Sequence, residues 1–317
     1  SCGGCMVLWE LADSIADLGI STSAYRGCPS MVDLAGPIAM NKTIVIVYPE
    51  GIGGSCKGDL PNSTLHVRWI LAPLKKRQND ANALKFFEWG EDDLVFNFAS
   101  SCALYPNLLP SSNILQVITS PKEGDQYDLP MEIFNSTNRQ GTAWTLRKGK
   151  KWHLNIDYIH KRLPEPIVQE NHPTPGNLQK YEYFVSYDPY TFYSYVAAMS
   201  GAVSIVHPIA NMTKEEWAFG TYVGEYLREH GGDVPGIAYG WSDEEVLYAR
   251  RTMPYLRGFM MNVRKWGKEK TVERFARDCY RHGNGERKFE SGLLVRDAYS
   301  KFHDGEGNLL GLNSPTY

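Results

Sequence analysis

Tyr181-Glu-Tyr-Phe-Val-Ser-Tyr-Asp-Pro-Tyr-Thr-Phe-Tyr-Ser-Tyr-Val-Ala-Ala-Met-Ser-Gly-Ala-Val-Ser-Ile-Val-His-Pro208 carries a complete strand–helix–strand pattern. Residues 183–187, Tyr-Phe-Val-Ser-Tyr, form a short run rich in aromatic side chains around Val185, which reads as a buried strand. Asp188 followed by Pro189 predicts an N-cap and first helical residue, with the helix reaching about Ser200 and turning on Gly201. Residues 203–206 predict a second buried strand. Such a unit belongs to a doubly wound sheet and puts the helix N-terminus at the carboxyl edge of the strands. Backbone amides gather there and favour an anion, to which the Thr191 hydroxyl adds a further donor. The expectation is a diphosphate site.

Outward from this unit, strands and helices alternate in both directions. An apolar run over 43–48 leads into the glycine-rich 49–54, strands are predicted at 93–98 and 113–118, and 65–74 matches a helical template with basic residues on one side. Near the start, Gly3-Gly4 predicts a glycine turn opening an amphipathic helix that Gly19 ends, with Glu10 and Asp13 solvated; the strand that should precede it either lies upstream of Ser1 or is absent from the fold. Polar residues crowd 135–141, where a junction is expected. A second set follows with a strand at 142–147, a loop over the proline-rich 164–176, a capping box in Thr213-Lys-Glu-Glu216 and a helix opened by Ser242 that breaks near Pro254. The predicted class is α/β, two Rossmann-like domains facing across a deep cleft. The boundaries are 1–138, 139–285, and a tail 286–317 expected to cross back to the first domain.

Composition narrows the functional classes. Hydrophobic residues make up 43% and charged residues 22% of 317, enough for packed cores. A net charge of −3 argues against a dedicated nucleic-acid binder. The absence of an apolar run of about 18 residues argues against a membrane span, and no signal peptide is visible, so a cytoplasmic location is expected. Cys2-Gly-Gly-Cys5 lacks the second knuckle that zinc requires, and His153, His160, His172 and His207 have no ligand spacing, so no metal site is expected.

Arg147, Lys148, Lys150 and Lys151 close the predicted strand at 142–147. Four cations beside a strand edge suit a diphosphate, because its charges must be neutralised; a solvated basic turn is the alternative. Tyr187 and Tyr239 offer rings on which a sugar or base could stack.

Taken in order, Gly3-Gly4, Tyr48-Pro-Glu50, Val67-Arg-Trp69, Leu146-Arg-Lys-Gly149, Tyr187-Asp-Pro with Thr191, Ala197-Ala-Met-Ser-Gly201 and Thr213-Lys-Glu-Glu-Trp217 resemble the GT-B glycosyltransferases, in particular bacterial rhamnosyltransferase-like enzymes of surface glycans. The resemblance spans about residues 1–265. It implies an acceptor-binding N-terminal half, a donor-binding C-terminal half and metal-independent transfer of a sugar, such as a deoxyhexose, from a nucleotide diphosphate to a glycan or glycoconjugate, with no cofactor beyond that substrate. By the same resemblance Arg147 and Lys148 hold the diphosphate, Asp188 and Thr191 serve the donor, and Gly3 and Gly4 let backbone approach it. Many retaining members carry a glutamate where Val196 stands, so an inverting route is expected, with Glu50 as general base at the end of a parallel strand. Asp59 and His66 are the alternatives for that role, and Glu50 could instead pair with Arg68. The alternatives for the whole chain are a nucleotide-sugar epimerase of the same fold and a non-catalytic glycan-binding module.

Overall fold

Nine short strands fall into two separate sheets in the computed structural model, which describes residues 3–23, 43–49, 60, 64–71, 89–99, 114–118, 129–135, 138–146, 163–208, 211–286, 288–295 and 297. The chain divides into two compact units, one made of 1–117 and 266–317, the other of 118–265. The polar stretch at 135–141 therefore lies inside the second unit, and the first unit regains the chain well ahead of residue 286.

In the first unit, α1 (Gly3–Ala16) precedes β1 (Val45–Pro49), β2 (Leu65–Ile70) and β3 (Leu94–Asn97). These three strands are parallel and adjacent in that order, and β9 (Leu293–Leu294) adds antiparallel to β3. The helical reading of 65–74 is corrected: Leu65, Val67, Trp69 and Ile70 are buried in β2, a strand covered on both faces. The basic side expected of a helix is not solvated: Arg68 is fully buried and paired with Asp93, a partner that no local pattern reveals. The expected strand at 113–118 reduces to one parallel bridge between Asn97 and Ile114. Gly3 and Gly4 are the first residues of α1 itself rather than a preceding turn. Glu10 is buried at 4% instead of solvated, because α1 presents Glu10, Leu11 and Ser14 inward while Trp9 is 57% exposed.

The second unit holds β4 (Thr142–Thr145), β5 (Ile167–Gln169), α2 (Pro175–Leu178), β6 (Tyr183–Ser186), α3 (Tyr193–Met199), β7 (Val203–Val206), α4 (Lys214–Gly220), α5 (Gly224–His230), β8 (Ile237–Tyr239), α6 (Asp243–Thr252) and most of α7 (Leu256–Gly267). Its five strands are all parallel in the order β5-β4-β6-β7-β8. The first strand of this unit, β4, therefore lies inside the sheet, and the winding direction reverses between β4 and β6. This is the doubly wound order in which the switch point opens a crevice at the carboxyl ends. Strand β5 falls in the segment read as a loop, because its three residues Ile-Val-Gln lie among prolines.

Alternation across the strands builds two cores. Ala143 and Phe184 face Leu178 of α2 and Val196 and Ala197 of α3. Val203, Ile205 and Ala238 face Ala249 and Val246 of α6, while Leu163, Val185 and Tyr187 gather Trp144, Leu146, Ile167 and Trp241. Capping acts where the sequence indicates it. Thr213 and Glu216 form a reciprocal capping box on α4, and the Ser242 hydroxyl accepts from the Glu245 amide at the start of α6.

Asp188 does not cap a helix. The N-cap of α3 is Phe192 in helical geometry with no side-chain bond, and the helix begins at Tyr193. The Ser186 hydroxyl explains the displacement: it accepts from the Asp188 amide (3.1 Å) and donates to the Asp188 carbonyl (2.8 Å), tying the chain into a turn before a helix can form.

Candidate functional site

Parallel strands expose unpaired backbone groups at their carboxyl ends, and the loops that leave them bring side chains from distant parts of the sequence to one edge. In the second unit that edge carries Thr145 and Leu146 at the end of β4, Ser186 to Thr191 at the end of β6 and beyond it, His207 after β7, and Tyr239 to Trp241 at the end of β8 and beyond it. Thr145 and Ser186 are register partners and both are fully buried, so hydroxyl-bearing residues flank the switch point on both strands.

Four polar atoms near this edge are shielded from solvent and have no hydrogen-bond partner among the described residues: Thr145 Oγ1, Ser194 Oγ, His207 Nδ1 and Trp241 Nε1. Each such group costs about 1–3 kcal/mol in the unliganded fold. The Tyr187 ring lies 5.4 Å from His207 and 6.0 Å from Trp144. Burial pushes the Tyr187 phenol up and the His207 imidazole down, so both are held neutral. An uncharged hydrogen-bonding wall of this kind suits the polar but neutral parts of a ligand, whereas phosphates need the cations that follow β4 in sequence.

A second group is built around Trp217. Its indole N–H donates to Pro189 O (2.7 Å) and its ring stacks on Tyr239 (5.4 Å between centroids). The Tyr239 hydroxyl donates to Met212 O (2.8 Å), and its amide donates to Glu245 Oε2 (2.9 Å). The capping box thus places Trp217 so that it fixes both the loop after β6 and the end of β8.

Of the residues singled out in the sequence, Tyr187, Asp188, Thr191 and Tyr239 share this edge. Tyr187 is 2% exposed within a core cluster, and the Thr191 hydroxyl accepts from the Tyr193 amide (3.3 Å). Gly3 and Gly4 belong to the other unit. Glu50, Arg147, Lys148 and Asp59 lie outside the described residues. Arg68 pairs with Asp93 (2.8 Å), and His66 Nδ1 meets the Tyr48 hydroxyl (3.0 Å). Val196 is 1% exposed among Ala143, Phe184 and Ala197, so packing alone accounts for the lack of a carboxylate there.

Sequence reasoning passed over Thr145, Ser194, His207 and Trp241. Thr145, His207 and Trp241 sit at or just beyond strand ends and Ser194 in the first turn of α3, and the strand order is needed to see them as one group. In the first unit, Asn97 at the end of β3 likewise buries an Oδ1 with no partner among the described residues. No group of three or more His, Cys, Asp or Glu side chains with metal-binding geometry occurs among the described residues, and no described helix is long and apolar enough to cross a membrane. No protein-family model matches the chain, and no curated protein matches it.

Proposed function

We propose that the chain is a glycosyltransferase of GT-B architecture that moves a sugar from a nucleotide-diphosphate donor to a glycan acceptor. The observation that carries the reading is the set of buried polar atoms without a partner among the described residues, beside the switch point of an all-parallel β5-β4-β6-β7-β8 sheet. A ligand there would supply hydrogen bonds to these groups. Strand β4 leads within three residues to Arg147 and Lys148, which neutralise the departing diphosphate in this reading. Glu50 takes the proton of the acceptor hydroxyl, the hydroxyl oxygen bonds to the anomeric carbon, and the bond from that carbon to the diphosphate breaks with inversion.

Thermal unfolding with GDP, UDP, dTDP and CMP tests the donor half of the proposal. A diphosphate at a hundredfold excess over its dissociation constant adds about 2.7 kcal/mol of stability. The expected result is stabilisation by one nucleoside diphosphate, lost in Arg147→Ala and reduced in Thr145→Val. Folded wild type that responds to none of them overturns the proposal.

A further inference from the structure

We propose that Tyr190 is the platform on which the nucleobase of the donor stacks, an assignment that rests on the donor-binding reading above. Tyr190 belongs to the loop that leaves β6 at the switch point, and it is 46% exposed. The other large apolar side chains exposed among the described residues of this unit, Leu247, Tyr255 and Met261, lie on α6, on the turn after it, or on α7.

Exposure alone would be unremarkable in a tyrosine, but this ring is held. Its hydroxyl donates to Met212 Sδ (3.4 Å). A Cβ built on Gly220 would fall 2.7 Å from both Cε1 and the hydroxyl oxygen, so the phenol rests directly on the glycine backbone. The preceding residue is pinned as well, through the Trp217 indole bond to Pro189 O (2.7 Å). An aromatic ring fixed before the ligand arrives loses little freedom on binding.

The chemistry of the support favours a base. A thioether and a glycine backbone hold a flat ring in place without presenting charge, which fits a π face of any base. A sugar, with hydroxyls around its rim, calls for carboxylates and amides that read them. Stacking on an aromatic side chain is worth about 1–3 kcal/mol per base, roughly a 5- to 150-fold change in affinity.

Calorimetric titration of the full chain with the stabilising nucleoside diphosphate and with inorganic pyrophosphate separates the base from the phosphates. Tyr190→Ala is expected to weaken the nucleotide about 5- to 150-fold and to leave pyrophosphate unchanged, while Tyr190→Phe keeps most of the affinity. Gly220→Ala displaces the ring without removing it and is expected to act like a milder Tyr190→Ala. Equal losses for both ligands, or no loss for the nucleotide, overturn the platform alone. Wild type that binds neither ligand overturns the donor reading and the platform with it.

Discussion

Arg68, in the middle of β2, has no solvent exposure. Its Nε donates to Asp93 (2.8 Å), which also accepts from the Gly90 amide, and its guanidinium lies 4.4 Å from the centre of the Tyr48 ring. Breaking a buried pair strands the remaining charge, and the cost is about 3–5 kcal/mol. Arg68→Met should therefore lower stability by that amount in urea unfolding, and a loss under about 1 kcal/mol would mean that Asp93 finds solvent. His207 makes the opposite kind of statement. Burial holds its imidazole below the ordinary 6.5, so the unfolded chain takes up a proton first as pH falls. Its contribution is harmless above 6.5 and turns against the fold as pH drops from there toward the depressed folded value. Melting temperature should decline over that window in wild type, and His207→Phe should flatten part of the decline. A variant that melts with an unchanged pH profile would place His207 in solvent.

Asp278 shows how one side chain can hold an element. On α8 (Glu273–Gly283) it is fully buried, and its carboxylate accepts from the amides of Glu290 (2.6 Å), Ser291 (2.8 Å) and Gly292 (2.7 Å) and from the Ser291 hydroxyl (2.9 Å). That clamp delivers β9 to the edge of β3. Asp278→Ala should cost on the order of 3 kcal/mol and raise hydrogen exchange at Val295, whose amide bonds to Asp93 O. Unchanged exchange there would show that β9 docks without the clamp. The same scale explains what the sequence could reveal. Strands β6 and β7, the capping box and the Ser242 cap were legible because the cause is local: a short β-branched run, or an oxygen three residues before the amide that it accepts. Asp188 misled because Asp-Pro carries the helix-start signature, while Ser186, two residues upstream, captured the same backbone. Strand β2 misled because Arg68 reads locally as a solvated basic side, whereas it is buried against Asp93, 25 residues further along the chain. The candidate site was half legible for a similar reason. Tyr187, Asp188, Thr191 and Tyr239 stand out locally, but Thr145, His207 and Trp241 acquire meaning only from strand order, which no window of sequence contains.

At the scale of the whole chain, the second unit is one continuous segment while the first is assembled from both ends. The return segment supplies Val272, Phe275, Cys279, Leu294 and Val295 to the first unit, each at most 6% exposed. Phe275 meets Phe96 edge to face (5.1 Å between centroids), and the Thr271 hydroxyl accepts from the Gln116 amide (3.1 Å). At about 1.5–3 kcal/mol per buried apolar side chain, these residues together rival the roughly 5–15 kcal/mol that holds an ordinary domain. Ending the chain after Lys265 should therefore unfold the first unit and spare the second, since β4 to β8 and their helices keep every buried neighbour named above. Hydrogen exchange makes the separation visible: amides of Val67, Trp69 and Phe96 should lose protection, while those of Phe184 and Ile205 keep it. If the diphosphate site belongs to the second unit, the truncated chain should still be stabilised by the same nucleotide. Retained protection in β2 and β3 would show that the first unit folds from its N-terminal part alone. Loss throughout would show that the second unit needs the first, and the site would then have to be studied only in the intact chain.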